Sequence, residues 1–170
     1  MSVKTVVGTV TAACEALPGS AYDGAYRYKL AHRTIATSED ACTPDGAATS
    51  VALRRKWAAP DRTTLLTVEE HSTVEQTIRL FHFRRGLPGL MMVTFGGDIF
   101  SAVQLGPHKF RIRVRGLGFG AYDPSSKSWN CEYEVDFAAR SVESGLFGRH
   151  DHGVEKDACG TPKVEELRTR

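Results

Sequence analysis

Two histidines, His32 and His82, stand among large apolar side chains in segments that alternate with a period of two. In "AYRYKLAHRTIAT" the alternation places Tyr26, Tyr28, Leu30 and His32 on one face. In "QTIRLFHF" it places Gln76, Ile78, Leu80 and His82 on one face. Imidazole titrates near neutral pH, so a buried histidine can act as a general acid or base, and a neighbouring phenol can share the proton. His82, His32 and Tyr28 are therefore the candidate catalytic residues. If those faces line one interior, two imidazoles, two phenols and an amide project among Leu, Met and Phe, a mixture that suits a small lipophilic or aromatic molecule. Tyr26, Tyr28, His32, Trp57, Gln76 and His82 form the candidate ligand-binding set. The competing account of each is that it satisfies a backbone carbonyl or closes one end of the core.

Other chemistry-bearing groups argue less. "GLGFG" (Gly116, Gly118, Gly120) has the glycine spacing of a phosphate loop, but the element after it is a strand rather than the helix whose amides would hold the phosphate. Glycine kinks in a bent strand fit better. "RHDHG" offers His150 and His152 without a third ligand at a recognisable spacing, so no metal is expected. His71, beside Glu69 and Glu70, falls near a turn. No Gly-x-Ser-x-Gly elbow, His-Glu-x-x-His motif or cofactor fingerprint occurs, and no cofactor is expected.

The elements that must position these groups are strands. After the turn-rich "SEDACTPDG", Val51, Leu53 and Trp57 share one side, and "APDR" is a tight turn. "TTLLTVEEHSTVEQTIRLFHF" is long enough for two strands turning near "EHST". "RRGLPG", "GGD" and "LGPH" then separate "LMMVTF", "IFSAVQL" and "KFRIRVRG". "LMMVTF" and "IFSAVQL" are apolar on both faces, so both sides of that sheet need cover: core or ligand on one side, and on the other "AARSVESGLFG", as a short helix, or a second subunit in a homodimer.

"KFRIRVRG" puts a cation at every second position, which raises the question of nucleic acid. The following "WNCEYEVDF" carries acids at the matching positions. In a hairpin whose opposed residues sum to 247 or 249, odd-numbered arginines face even-numbered residues of the next strand; at 247 Arg111 meets Asp136, Arg113 meets Glu134 and Arg115 meets Glu132, while Phe110, Ile112 and Val114 meet Phe137, Val135 and Tyr133. The stripe is neutralised internally, and nucleic acid is not an expected partner.

With Lys+Arg 22 against Asp+Glu 20 there is no global charge excess to attract a polyanion. No apolar run approaches the roughly 18–20 residues that span a bilayer, so no membrane insertion is expected. Cys14, Cys42, Cys131 and Cys159 lie far apart without a Cys-x-x-Cys pair. Reduced thiols and a cytoplasmic location are the expectation, with two disulfides as the alternative.

Residues 1–148 are expected to form one domain, and 149–170, polar and poor in large apolar residues, a flexible tail. The fold expectation is an all-β antiparallel up-and-down meander of roughly eight to ten strands closing into a barrel, with a two-sheet sandwich as the alternative. In strand pattern alone this resembles the lipocalin or calycin barrels. The Gly-x-Trp signature of classical lipocalins is absent, so the resemblance implies nothing about activity. Three functions follow in order: a small-molecule binder in a barrel cavity, a cofactor-independent isomerase, cyclase or lyase in the same cavity, and a structural or interaction protein whose sheets are filled with side chains.

Overall fold

The computed structural model describes residues 1–19, 24–42, 52–70, 76–85, 90–117, 128–148, 154 and 158–167, with the backbone alone for 39–41, 52–57, 70, 116, 117 and 128. These residues form three sheets in chain order. The first comprises β1 (Ser2–Thr5), β2 (Gly8–Ala16), β3 (Gly24–Leu30) and β4 (Arg33–Cys42). The second comprises β5 (Ala52–Ala58), β6 (Thr64–Glu70), β7 (Gln76–Phe83) and β8 (Leu90–Gly96). The third comprises β9 (Asp98–Gly106), β10 (Lys109–Leu117), β11 (Ser128–Asp136) and β12 (Ser141–Leu146), and the two-residue β13 (Glu165–Glu166) returns to the free edge of β8. Every pairing is antiparallel. There is no helix among the described residues, and so none that could cross a membrane.

The meander is as the alternation implies, but it does not close: among the described strands each sheet keeps two edges, and no ladder joins one sheet to another. The sheets stack instead. On one face of the second sheet Leu66, Val68, Ile78, Leu80, Met91, Val93 and Phe95 pack with Phe110, Ile112, Val114, Tyr133, Val135 and Phe137 of the third. On the other face Leu65, Phe81, Phe83, Leu90 and Met92 pack with Val10, Ala12, Tyr26, Tyr28 and Ile35 of the first. The second sheet is thus the middle layer of three. This is why Ile78–Phe83 is buried at six consecutive positions where a one-sided strand would alternate. Each fully buried aromatic or branched side chain contributes about 1.5–3 kcal/mol of transfer free energy, and the middle layer collects it from both faces. "LMMVTF" is covered on both faces, by two sheets of its own chain.

Several expectations change in detail. The β10–β11 hairpin pairs two residues away from the predicted register: Arg111 lies opposite Glu134, Arg113 opposite Glu132, and Ile112 opposite Tyr133. A shift of two keeps every side chain on its face, so the arginine–glutamate ladder survives with different partners. The turn that sets this register, and Gly118, Gly120, His71, His150 and His152, lie outside the described residues. "AYRYKLAHRTIAT" is two strands joined by a two-residue turn at Ala31 (φ 47) and His32 (φ 72). The pairing of two positive φ values is that of a type I′ hairpin turn, whose usual Asn-Gly signature is missing from Ala-His. "AARSVESGLFG" contains β12 rather than a helix.

The thiols are oxidised, against expectation. Cys14 is bonded to Cys42 and Cys131 to Cys159, each pair 28 residues apart in sequence. The first bridge depends on Gly24: a Cβ there would stand 2.7 Å from Cys14 Sγ and 2.8 Å from the Cys42 carbonyl oxygen. The second bridge anchors part of the segment expected to be a free tail. Within residues 158–167, Tyr133 Oη donates to the Cys159 carbonyl (2.5 Å), Leu167 N–H donates to the Leu90 carbonyl (3.0 Å), and Val164 packs on the core. Composition alone counted no apolar surface that could repay ordering; a covalent anchor and a sheet edge supply the missing stabilisation.

Candidate functional site

Tyr28 and His82, the two candidate residues that are fully buried, lie on opposite faces of the middle sheet and head two separate polar clusters. The first cluster sits between the first and middle sheets. Strand alternation brings Tyr28 from β3, Ser38 from β4, Thr67 and Glu69 from β6, Arg79 from β7 and Thr94 from β8 onto facing surfaces. Glu69 is buried and its carboxylate accepts four bonds: from Tyr28 Oη (2.5 Å) and Arg79 Nε (2.8 Å) at Oε1, and from Ser38 Oγ (2.9 Å) and Arg79 Nη2 (3.3 Å) at Oε2. Arg79 Nη1 reaches Thr94 Oγ1 at 3.4 Å, and Tyr28 Oη lies 3.3 Å from Thr67 Oγ1. Burial, then the Glu69 charge and the bond to it, push the Tyr28 phenol far above its usual range, against a smaller opposing pull from Thr67 and Arg79. Tyr28 is a fixed neutral donor. A carboxylate so fully satisfied has no lone pair to spare for substrate, and the cluster orients two sheets rather than performing chemistry.

The second cluster lies at one end of the interface between the middle and third sheets. His82 Nδ1 is 3.0 Å from Thr64 Oγ1, and its Nε2 is 3.0 Å from Nδ1 of His108 in the β9–β10 turn. The His82 ring stacks on Phe137 with centroids 4.7 Å apart and planes 12° apart, and packs against Phe110 at 5.9 Å. Burial first, then His108 and Arg84, lower the His82 imidazole to about 4, with Asp61 and the Thr63 backbone opposing. At neutral pH His82 is therefore uncharged, and the two rings share one N–H···N bond. His108 is half-buried, so the chain from Thr64 through His82 leads toward solvent.

The remaining candidates do not join either cluster. His32 is exposed in the β3–β4 turn, on no interior face. Tyr26 is buried in the core of the first sheet. Gln76 shares a face with His82 but is six residues along the strand, about 20 Å away at the usual rise; its Oε1 is buried without a hydrogen-bond partner among the described residues. The Trp57 side chain lies outside the described set. Reasoning from sequence missed His108, Glu69 and Arg79. His108 sits in "LGPH", whose Gly-Pro signals only a turn. Glu69 and Arg79 looked like the solvent face of an alternating strand, a reading that holds only for a sheet covered on one side.

A third region is the outer face of the third sheet. Arg111 bonds Glu134 and lies 3.5 Å from Glu132, while Arg113 bonds Glu132 at 2.6 Å, so the basic stripe is paired along the adjacent strand. The Arg111 bond holds the Glu134 carboxyl below its usual range. Next to this ladder the Arg113 guanidinium lies over the Phe147 ring at 3.9 Å, and Phe100 approaches Phe147 at 6.5 Å. Strand β9 forms the edge. Phe100 and Leu105 are its two bulge residues, each extra to the β10 register, and Phe100, Val103 and Leu105 are 51%, 48% and 43% exposed. A shallow groove of about 300 Å³ on the opposite edge is lined by Glu132, Glu134, Glu143 and Leu146. Comparison of the chain with protein-family models, curated proteins and solved structures returns no match.

Proposed function

We propose that this chain is an interaction protein of an oxidising compartment that associates with a second copy of itself along β9. The observation that carries the reading is the composition of that edge. Nine residues long, β9 has no charged side chain from Ile99 to Gly106, and it exposes Phe100, Val103 and Leu105. Natural sheet edges are normally blunted by charge, proline, brevity or bulges. β9 carries two bulges, which confine any ladder to Ser101–Gln104, but no charge or proline guards that stretch. A two-fold antiparallel pairing centred on Val103 then sets the Val103 of each copy opposite that of the other and Ala102 opposite Gln104, so the exposed Val103 side chains meet on the outer face with Phe100 and Leu105 flanking a short ladder. The disulfides support an oxidising compartment in place of the cytoplasm, since such bridges persist where thiols are not kept reduced. Sedimentation velocity from micromolar to several hundred micromolar protein tests the proposal. Wild type should shift from monomer to dimer and Val103→Lys should not; an unchanging monomer in both rejects it.

The second reading keeps a small lipophilic or aromatic molecule as the partner, bound or turned over by acid–base chemistry. It is favoured by the chain of Thr64, His82 and His108, which ends on a half-buried imidazole. A lipocalin-like barrel around that molecule would need closure between sheets that the described strands do not make, so the ligand would sit at the open end near the β9–β10 turn. On this reading His82→Gln should abolish turnover while leaving affinity within a few-fold; on the self-association reading it should leave dimerisation intact.

A further inference from the structure

We propose that the contact between His82 and His108 is an acid-released clasp that holds the β9–β10 turn of the third sheet against the middle sheet. The geometry concentrates several interactions on one imidazole. His82 is fully buried on the middle sheet, and its only described link to the turn is the Nε2···Nδ1 contact at 3.0 Å. His108 in turn accepts the Phe137 N–H at its carbonyl (2.9 Å), and Phe137 stacks on His82. The turn, the end of β11 and the end of β7 are thus closed around one ring.

A clasp of this form holds only while one of the two facing nitrogens keeps its lone pair. With both rings neutral, one N–H donates to the other ring's lone pair. When both carry protons, two N–H groups face each other at hydrogen-bond distance and neither has an acceptor. Three charged or titratable side chains act on His82. His108 and Arg84 disfavour its cation, whereas the Asp61 carboxylate, itself held by Thr63 N–H and Oγ1–H at 3.0 and 2.8 Å, favours it. Burial among Phe110 and Phe137 is the largest influence and also disfavours the cation, so the net direction is toward the neutral ring. In the opened turn His82 meets water and takes up its proton near the ordinary value of 6.5, whereas in the closed form it does so only at about 4. Below pH 6.5 the open form therefore binds the extra proton and gains on the closed form, by about tenfold for each pH unit, until the closed form also titrates.

The inference is independent of whether β9 pairs with a second copy. Native-state hydrogen exchange of the whole chain, read as protection factors corrected for intrinsic rates, tests it. Between pH 6.5 and 4.5 protection of the Phe137 amide should fall by about fortyfold and should stay well below that of Leu80 in the middle of β7, whose global opening solvates the same imidazole and falls in parallel. In His82→Phe, which keeps a ring against Phe137, the fall should vanish; should that variant not fold, His108→Asn must show low and pH-independent Phe137 protection. Constant protection of Phe137 over this range, or Phe137 protection equal to that of Leu80, overturns the clasp.

Discussion

Replacing Arg79 by Met would leave a carboxylate buried between two sheets with half its partners gone. Glu69 is fully buried and Arg79 nearly so, so solvent screening offers little relief. Glu69 would lose the bonds from Nε (2.8 Å) and Nη2 (3.3 Å) and keep those from Tyr28 and Ser38. Two charge-assisted bonds at about 1.5–3 kcal/mol each suggest a loss of about 3–6 kcal/mol. The cost of removing one member of a buried ion pair, about 3–5 kcal/mol, falls in the same range. Against a total stability of about 5–15 kcal/mol this is a large fraction. The pair itself need not be stabilising, because both charges lost hydration on burial. Glu69→Leu combined with Arg79→Met should therefore recover part of the loss, leaving Tyr28 Oη to bond Thr67. Equilibrium urea denaturation under non-reducing conditions, followed by tryptophan fluorescence, measures all three variants. A cost below about 1 kcal/mol for Arg79→Met, or a double variant as unstable as the sum of the singles, would refute the claim that Glu69 is a desolvated carboxylate held by this network.

Other consequences can be read more briefly. Tyr28 and Tyr133 are both raised by burial, with the Glu69 charge adding to the first, so in a spectrophotometric titration of the native protein these two of the five tyrosines should stay protonated at pH 10, the ordinary value of a phenol. Because the unfolded chain releases those protons first, stability should decline above pH 10, and Tyr28→Phe should decline less steeply. Each disulfide closes a loop of 28 residues' separation, for which loss of the cross-link should cost about 3.5 kcal/mol on chain entropy; Cys14→Ala with Cys42→Ala, measured by denaturation, checks the figure, and a change under 1 kcal/mol would speak against it. Gly24→Ala places a Cβ against the Cys42 carbonyl and the Cys14 sulfur, so a thiol assay of the purified variant should find that pair unbonded, and a fully oxidised variant of unchanged stability would contradict the close approach.

What was legible in the sequence was whatever depends on parity. Alternation identified the strands, and the matching of Arg111 and Arg113 to acids on β11 survived a register error of two because faces repeat with that period. The two-sided apolarity of "LMMVTF" correctly called for cover on both faces. It could not say that the cover on each side would be another sheet of the same chain, since layer order is fixed by long-range packing with no local signature. The same gap hid Glu69 and Arg79, which look like surface residues until the first sheet is laid over them. His82 was visible as a histidine on an apolar face, but its partner lay across a sheet interface in a turn. His32 was misplaced because a type I′ turn built from Ala31 and His32 carries none of the residues that usually announce one. The cysteine bridges were out of reach because four separated cysteines permit three pairings and no pairing at all.

The measurement that bears most directly on the central claim is native mass spectrometry of the gently purified, oxidised protein, compared with its denatured mass. A filled three-layer stack that associates through β9 should give bare dimer in equilibrium with bare monomer, with no mass beyond the polypeptide. A monomer carrying a stoichiometric excess that disappears on denaturation would contradict that account and return a small molecule to the centre of this protein's function.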